Sequence, residues 1–163
     1  MGVVDVQRDM QQRTMTIVSR FDAPVARVWE MWSDPRRLER WWGPPGFPAT
    51  VTEHDITLGG AVAYFMTGPQ GERHHGWWQI TEVDAPHMLA FEDGFANADG
   101  SRNDDLPGMT ISVLLAGDDG GGTTMSITTA FASEEAMATI LAMGAEEGMT
   151  LAIGQIDVIL GES

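Results

Sequence analysis

The chain has 163 residues, of which 43% are hydrophobic, and a formal net charge of −15. This length and composition suit one domain with one hydrophobic core. A surface this acidic repels phosphate backbones and anionic lipid headgroups, so we expect neither nucleic acid nor a membrane surface as a partner. The chain contains no cysteine, which excludes disulfides, thiolate metal sites and a cysteine nucleophile.

The first twelve residues are polar and follow no periodic pattern. We predict that residues 1–12 form a loose lead-in and that residues 13–163 form a single domain. The N-terminus has neither the basic region nor the apolar stretch of a secretory signal, and the chain has no apolar run of eighteen residues. We therefore expect a cytoplasmic protein that does not insert into a membrane.

Apolar and polar residues alternate between residues 13 and 21, which predicts a strand with one buried face. Pro24 follows, and apolar residues then recur every three or four positions through Trp32, as on one face of a helix. Ser33-Asp34-Pro35 ends that helix and begins a second short one that runs to Trp41.

Six further strands are predicted at residues 50–56, 61–67, 73–83, 87–95, 109–116 and 123–131, separated by turns rich in Gly, Pro and Asp. Ser133 is placed to cap a long apolar helix that runs to about Leu160. Strands joined by tight turns form an antiparallel meander that curls with its twist. We predict an α+β fold in which a curved antiparallel sheet of six to seven strands carries the C-terminal helix across its concave face, with two short helices after strand one.

Several motifs along the chain match those of a known family in the same order. They are Phe21-Asp22-Ala23-Pro24, Val28-Trp29, Trp32-Ser33-Asp34-Pro35, Trp41-Trp42-Gly43-Pro44, Gly59-Gly60, residues 68–72, Gly76, residues 82–89 and Gly148. On these residues the chain resembles, from about Thr14 to Leu160, the activator of heat-shock-protein-90 ATPase-like family of the SRPBCC superfamily, which is START-like and birch-pollen-allergen-like. The family often has Trp where this chain has Met149.

The resemblance implies the helix-grip, START-like fold with an internal cavity. It transfers a fold rather than an active site, because the matched positions are turns, glycines and packing tryptophans. Eukaryotic members act as co-chaperones, so an interaction of that kind through the outer sheet face is one hypothesis, although we do not favour a chaperone partner here.

A cavity requires space that side chains leave unfilled. The predicted last helix contains Gly144, Gly148 and Gly154, and each glycine within a helix costs about 1 kcal/mol relative to alanine. These glycines serve either a close approach of helix to sheet or room for a ligand, and the sequence does not separate the two.

Aromatic and methionine side chains would suit a flat or aliphatic apolar ligand, lipid-like or polyketide-like. The predicted ligand-binding residues are Trp32, Trp41, Phe65, Trp78, Phe91, Met109, Met137, Leu141, Gly144 and Gly148. Ordinary core packing uses the same residue types, so both interpretations stay open. Trp77 and Trp78 face opposite sides of their strand, and an exposed tryptophan of this pair would support a homodimer.

The candidates for acid–base catalysis are His54, Tyr64 and His75, since related cyclases and dehydratases place polar groups inside such cavities. Solvated histidines are the alternative. The adjacent His74 and His75 point to opposite faces and cannot chelate one metal, and no His-x-x-x-His pair occurs, so we predict no metal and no cofactor.

Our first hypothesis is therefore that the chain binds a small apolar molecule and is not an enzyme. The two alternatives are a cyclase-, dehydratase- or hydrolase-type enzyme acting in the same cavity, and a co-chaperone-like interaction domain.

Overall fold

A computed structural model of the chain describes residues 2–106 and 108–162. These residues form eight strands and four helices. In chain order the elements are β1 (Gly2–Asp9), β2 (Thr14–Phe21), α1 (Val25–Ser33), α2 (Pro35–Trp41), β3 (Ala49–His54), β4 (Ala61–Thr67), β5 (Arg73–Asp84), β6 (Met88–Ala96), β7 (Met109–Gly117), β8 (Thr123–Phe131), α3 (Glu134–Ala142) and α4 (Ala145–Leu160).

The eight strands form one antiparallel sheet in the order β1-β2-β8-β7-β6-β5-β4-β3. Strands β3 to β8 form the predicted meander, and β8 closes it against β2. The predicted α+β helix-grip fold is confirmed, with eight strands instead of six to seven.

The additional strand is β1, which lies in the segment predicted as a loose lead-in, so that prediction is wrong. The strand pairs with β2 from Gly2 opposite Arg20 to Asp9 opposite Thr14. Strand β1 has no clear sequence pattern because it is an edge strand with mostly exposed side chains. A register shift between Val3 and Asp5 also breaks its alternation. The strand is formed by backbone pairing with β2, and its Val3 and Val6 side chains pack against the core in part.

The alternation predicted for residues 13–21 appears in β2, where Met15, Ile17 and Phe21 are buried and face the helices. On the opposite, convex face of the sheet the hydroxyls of Thr16 and Thr128 lie 3.1 Å apart across β2 and β8. One face of the sheet thus forms the core and the other contacts solvent.

Helices α1 and α2 bring two tryptophans into that core. Helix α1 buries Val28, Met31 and Trp32, which share one helix face. Helix α2 begins where the Asp34 side chain accepts the Arg36 backbone N–H at 2.9 Å, and it buries Trp41. Burial of each such ring contributes about 3 kcal/mol.

The C-terminal helix predicted as one long element is instead two, α3 and α4, which meet at an angle of 60°. Ser133 caps α3 as predicted, accepting the Ala136 N–H at 2.9 Å. The break falls at Gly144, whose φ of +87° lies in the left-handed region that favours glycine. The apolar pattern continues across this residue, so hydrophobic periodicity alone did not reveal the break.

Helix α4 packs against α2 and against β1 and β2. A Cβ atom added at Gly148 or Gly154 would meet nothing within 4 Å, so neither glycine is required for close helix–sheet approach. Within the described residues no single helix has the length and hydropathy of a membrane span, and α3 and α4 meet those criteria only when taken together across their bend.

Substitution by alanine should have opposite effects on stability at Gly144, which has a positive φ, and at Gly154, where an added Cβ meets open space. Gly144→Ala should lower the free energy of unfolding by about 1 kcal/mol, because alanine is strained at positive φ. Gly154→Ala should raise it by up to about 1 kcal/mol, because the added methyl group meets open space and alanine favours the helix. Urea unfolding of both variants measures these changes, and shifts of the same sign would contradict the account of the helix break.

Candidate functional site

The centre of the space between sheet and helices is filled by an aromatic cluster, defined as Trp32, Trp41, Trp42, Trp78 and Phe91. None of these side chains is more than 5% exposed. Trp78 stacks on Phe91 with ring centroids 4.0 Å apart, and Trp32 meets Trp41 edge-on at 4.8 Å. Four predicted ligand-binding residues therefore pack against one another in the core.

The remaining predicted ligand-binding residues lie in several places. Met137 of α3 is fully buried. Leu141 of α3, Gly144 between the two helices and Gly148 of α4 are half-buried. Five clefts formed by the described residues have none of these four in their walls. Phe65 lies on the convex face, where the Arg73 guanidinium stands 4.3 Å from its ring centroid.

Met109 is the predicted ligand-binding residue that lines a cleft on the concave side. This cleft, here called the terminal cleft, has a volume of about 120 Å³ and lies where the aromatic cluster stops. Its lining residues are Tyr64, Met66, His74, His75, Gly76, Asp93, Gly94, Phe95 and Met109. They come from β4, β5, β6 and β7, so the cleft is held by four neighbouring strands.

Tyr64 and Asp93 form a buried polar pair in the wall of the terminal cleft. The Tyr64 hydroxyl donates a long hydrogen bond of 3.4 Å to Asp93 Oδ1. Strand β5 lies between the two residues, and Gly76 is the β5 residue opposite Tyr64. A Cβ atom at Gly76 would lie 2.3 Å from the Tyr64 hydroxyl oxygen, so the glycine lets the phenol reach across the strand.

Burial governs the electrostatics of this pair. Asp93 is 6% exposed, and loss of water raises the pKa of its carboxyl to about 7, although the Tyr64 hydroxyl and the Gly94 N–H favour the charged form. Burial also raises the pKa of Tyr64 well above its usual range, and the Asp93 charge adds to that rise. The cleft thus contains a carboxyl that changes charge near neutral pH.

The three candidates for acid–base catalysis do not converge. Tyr64 and His75 line the terminal cleft, but His75 also lies 5.5 Å, centroid to centroid, from the Phe65 ring of the convex face. His54 lies elsewhere, with its Nε2 3.0 Å from the Trp32 carbonyl oxygen, and connects β3 to α1. Any catalytic role for these residues stays a prediction.

Asp93 is the functional candidate that the sequence analysis missed. Its signal was a carboxyl at an inward position of a strand, in phase with the apolar Leu89 and Phe91. Among the described residues, no three His, Asp or Glu side chains are grouped so that they would hold a metal ion.

Trp77, on which the predicted homodimer depends, lies on the convex face and is half-buried. The Arg102 guanidinium covers its ring at 3.8 Å, and its indole N–H donates to the Phe95 carbonyl at 3.0 Å. The chain's own loop therefore occupies one face of this ring, and the homodimer stays a prediction.

Solved structures of proteins from three bacteria are similar to this chain over nearly its whole length. The crystal structure of protein Ms6760 from Mycobacterium smegmatis is 48% identical, with a TM-score of 0.91 and coverage of 99% of this chain and 98% of that chain. The solution NMR structure of a protein from Arthrobacter aurescens is also 48% identical, with a TM-score of 0.94. The similarity covers 99% of this chain and 93% of that chain. A protein from Staphylococcus epidermidis is 26% identical, with a TM-score of 0.85 and coverage of 98% and 94%.

None of the curated proteins compared with the chain matches it. The family described as activator of Hsp90 ATPase homolog 1-like protein matches residues 22–161, from the turn before α1 to the end of α4. The match extends over most of the chain and agrees with the fold. The chain therefore belongs to the activator of Hsp90 ATPase homolog 1-like family.

Proposed function

We propose that this protein binds a small apolar molecule, about the size of one aromatic ring, in the terminal cleft. The observation that carries the proposal is the position of the cleft, at the edge of a filled aromatic core and against a buried carboxyl. Its volume of about 120 Å³ is close to that of the ~150 Å³ cavity in another protein that binds benzene. Apolar walls with one or two polar groups are typical of small-molecule sites.

The proposed ligand is smaller than the lipid-like or polyketide-like molecule predicted from the sequence. A long chain would have to displace the stacked rings of Trp78 and Phe91, which lie 4.0 Å apart in the centre. Close packing of this kind resists insertion of additional atoms. Met66 and Met109 are the adaptable side chains of the cleft, and their flexible thioethers let it fit ligands of different shape.

An enzyme working in the same cleft is the second candidate. The observation that favours it is Asp93, because a carboxyl with a pKa of about 7 both gives up and accepts protons at neutral pH. An enzyme would convert the bound molecule over time, and conversion would stop in Asp93→Asn although binding of a neutral ligand persisted. A binding protein would leave the molecule unchanged, as NMR spectra of the mixture would record.

The burial of Asp93 predicts how stability depends on pH. Because the pKa is raised in the folded state, the carboxyl ionises first in the unfolded chain as pH rises from about 4. The folded state therefore loses stability between pH 4 and 7, by up to about 4 kcal/mol, and the loss is complete above pH 7. Asp93→Asn removes this charge, so the variant should be more stable than the parent at pH 8 and similar to it at pH 4.

Urea unfolding at pH 4, 6 and 8 measures this difference in the free energy of unfolding. The control is Glu92→Gln, which removes one carboxylate from the exposed, opposite face of the same strand. The difference in the free energy of unfolding between Glu92→Gln and the parent should not change with pH in this way. A constant difference between parent and Asp93→Asn across this range would contradict the buried state of Asp93.

Binding in the terminal cleft predicts the effect of filling it. Met109→Trp puts a large ring into the cleft and should weaken the binding of benzyl alcohol at least 10-fold, as measured by ligand-observed NMR titration. The matched control is Leu114→Trp, which adds the same ring on the same strand at a side chain that is 55% exposed. Its affinity should stay within twofold of the parent.

Circular dichroism of both variants at the titration temperature establishes that they are folded. Equal affinity of parent and Met109→Trp would place the ligand elsewhere and overturn the proposal. The proposal fails equally if the parent chain binds neither benzyl alcohol nor toluene at millimolar concentrations.

A further inference from the structure

We propose that the molecule held in the terminal cleft carries a protonated amino group and that the Asp93 carboxylate is the group that binds it. This inference rests on the proposed function and adds the chemical class of the ligand. It follows from three features: the direction of the Tyr64–Asp93 hydrogen bond, the absence of Asp93 from the ion pairs of the described residues, and the chemistry of the cleft walls.

The side-chain donor nearest to Asp93 is the Tyr64 hydroxyl, which donates to it. Trp42 and Trp78 lie edge-on to Tyr64, with ring centroids 6.1 and 6.3 Å from it, and their buried indole N–H groups have no hydrogen-bond partner among the described residues. An indole only donates and a phenol has one proton, which Tyr64 directs to Asp93. Asp93 is therefore the terminal acceptor of this group.

The Asp93 carboxylate has capacity left for another donor. Two carboxylate oxygens offer about four acceptor sites. The described partners are the Tyr64 hydroxyl, at the long distance of 3.4 Å, and the backbone N–H of Gly94. Among the described ion pairs no Arg or His is joined to Asp93. A buried carboxylate without a cation is costly, and a ligand ammonium group would remove that cost.

The cleft walls also suit a cation. They contain no arginine, and the chain has no lysine, so no permanently charged basic side chain of the cleft repels an ammonium group. Tyr64 and Phe95 present aromatic rings, which attract cations. The net charge of −15 draws cations towards the molecule and repels carboxylates.

A neutral ligand that accepts a hydrogen bond fits the site less well. It would need Asp93 in the protonated form, and the Tyr64 hydroxyl would then donate to a neutral, weaker acceptor. An amine ligand instead keeps Asp93 charged, so the Tyr64 hydroxyl donates to a charged acceptor. An ammonium ligand therefore agrees with the direction of the Tyr64–Asp93 hydrogen bond.

The titratable residues that line the cleft are Tyr64 from β4, His74 and His75 from β5, and Asp93 from β6, while β7 contributes the uncharged Met109. The His75 ring lies against Phe65 of the convex face. His74 is exposed and lies 3.9 Å from Glu72. Protonation of Asp93 as pH falls would weaken the binding of a cation. Asp93→Asn removes the carboxylate and leaves both histidines in place. The variant therefore measures what Asp93 alone contributes to the binding of a cation.

The test compares three ligands of the same size, namely benzylamine, benzyl alcohol and benzoate, by NMR titration at pH 8 in 150 mM salt, which screens the general charge of the surface. The parent chain should bind benzylamine at least 10-fold more tightly than benzyl alcohol and should not bind benzoate. Asp93→Asn should lose this preference, with benzylamine weakened at least 10-fold and benzyl alcohol changed less than twofold. Glu92→Gln, the control for a loss of one negative charge, should leave both affinities within twofold.

The outcomes separate this inference from the proposed function. Equal affinities of the parent for benzylamine and benzyl alcohol would overturn the inference and leave the proposed function standing. The inference also fails if Glu92→Gln weakens benzylamine as much as Asp93→Asn does, because the attraction would then come from the general surface charge. Absence of binding by all three ligands would overturn both.

Discussion

The packing of the aromatic cluster is the interaction on which the rest of the structure depends. Trp32 of α1 meets Trp41 of α2 edge-on at 4.8 Å, and it meets Trp78 of β5 and Phe91 of β6 at 6.0 and 6.2 Å. These contacts fasten the two short helices to the centre of the sheet. Each aromatic pair adds about 1 kcal/mol beyond the burial of its area, so the cluster strongly favours a filled centre.

The filled centre determines where the protein has room for a ligand. It also explains why the pKa of the Asp93 carboxyl is raised. Trp42 and Trp78 lie against Tyr64. The Tyr64 ring crosses β5 at Gly76, which has no side chain, and its hydroxyl reaches Asp93 at the end of the cluster. The same rings that exclude water from the core also remove it from this carboxyl. The site therefore combines an apolar cleft with a group that changes charge near neutral pH.

The sequence predicted those parts of the structure that local patterns determine. Burial of one face imposes a period of two on β2, and Pro24 and Asp34-Pro35 mark the starts of α1 and α2. The exposed edge strand β1 has no such period, and the break at Gly144 interrupts no apolar pattern. Tyr64 was found by residue type, whereas the burial of Asp93 depends on tryptophans from distant parts of the chain, which a single sequence does not bring together.

The middle of the fold is closed by the aromatic cluster, and we propose that the ligand enters beside Asp93. Methionines labelled with ¹³C at the methyl group test it directly, because they occur in both places. On addition of benzyl alcohol, the account predicts shifted methyl signals for Met66 and Met109 of the terminal cleft and unchanged signals for the buried Met31, Met125 and Met137. Shifts at Met125 and Met137 with unchanged signals at Met66 and Met109 would contradict it, since the ligand would then occupy the centre.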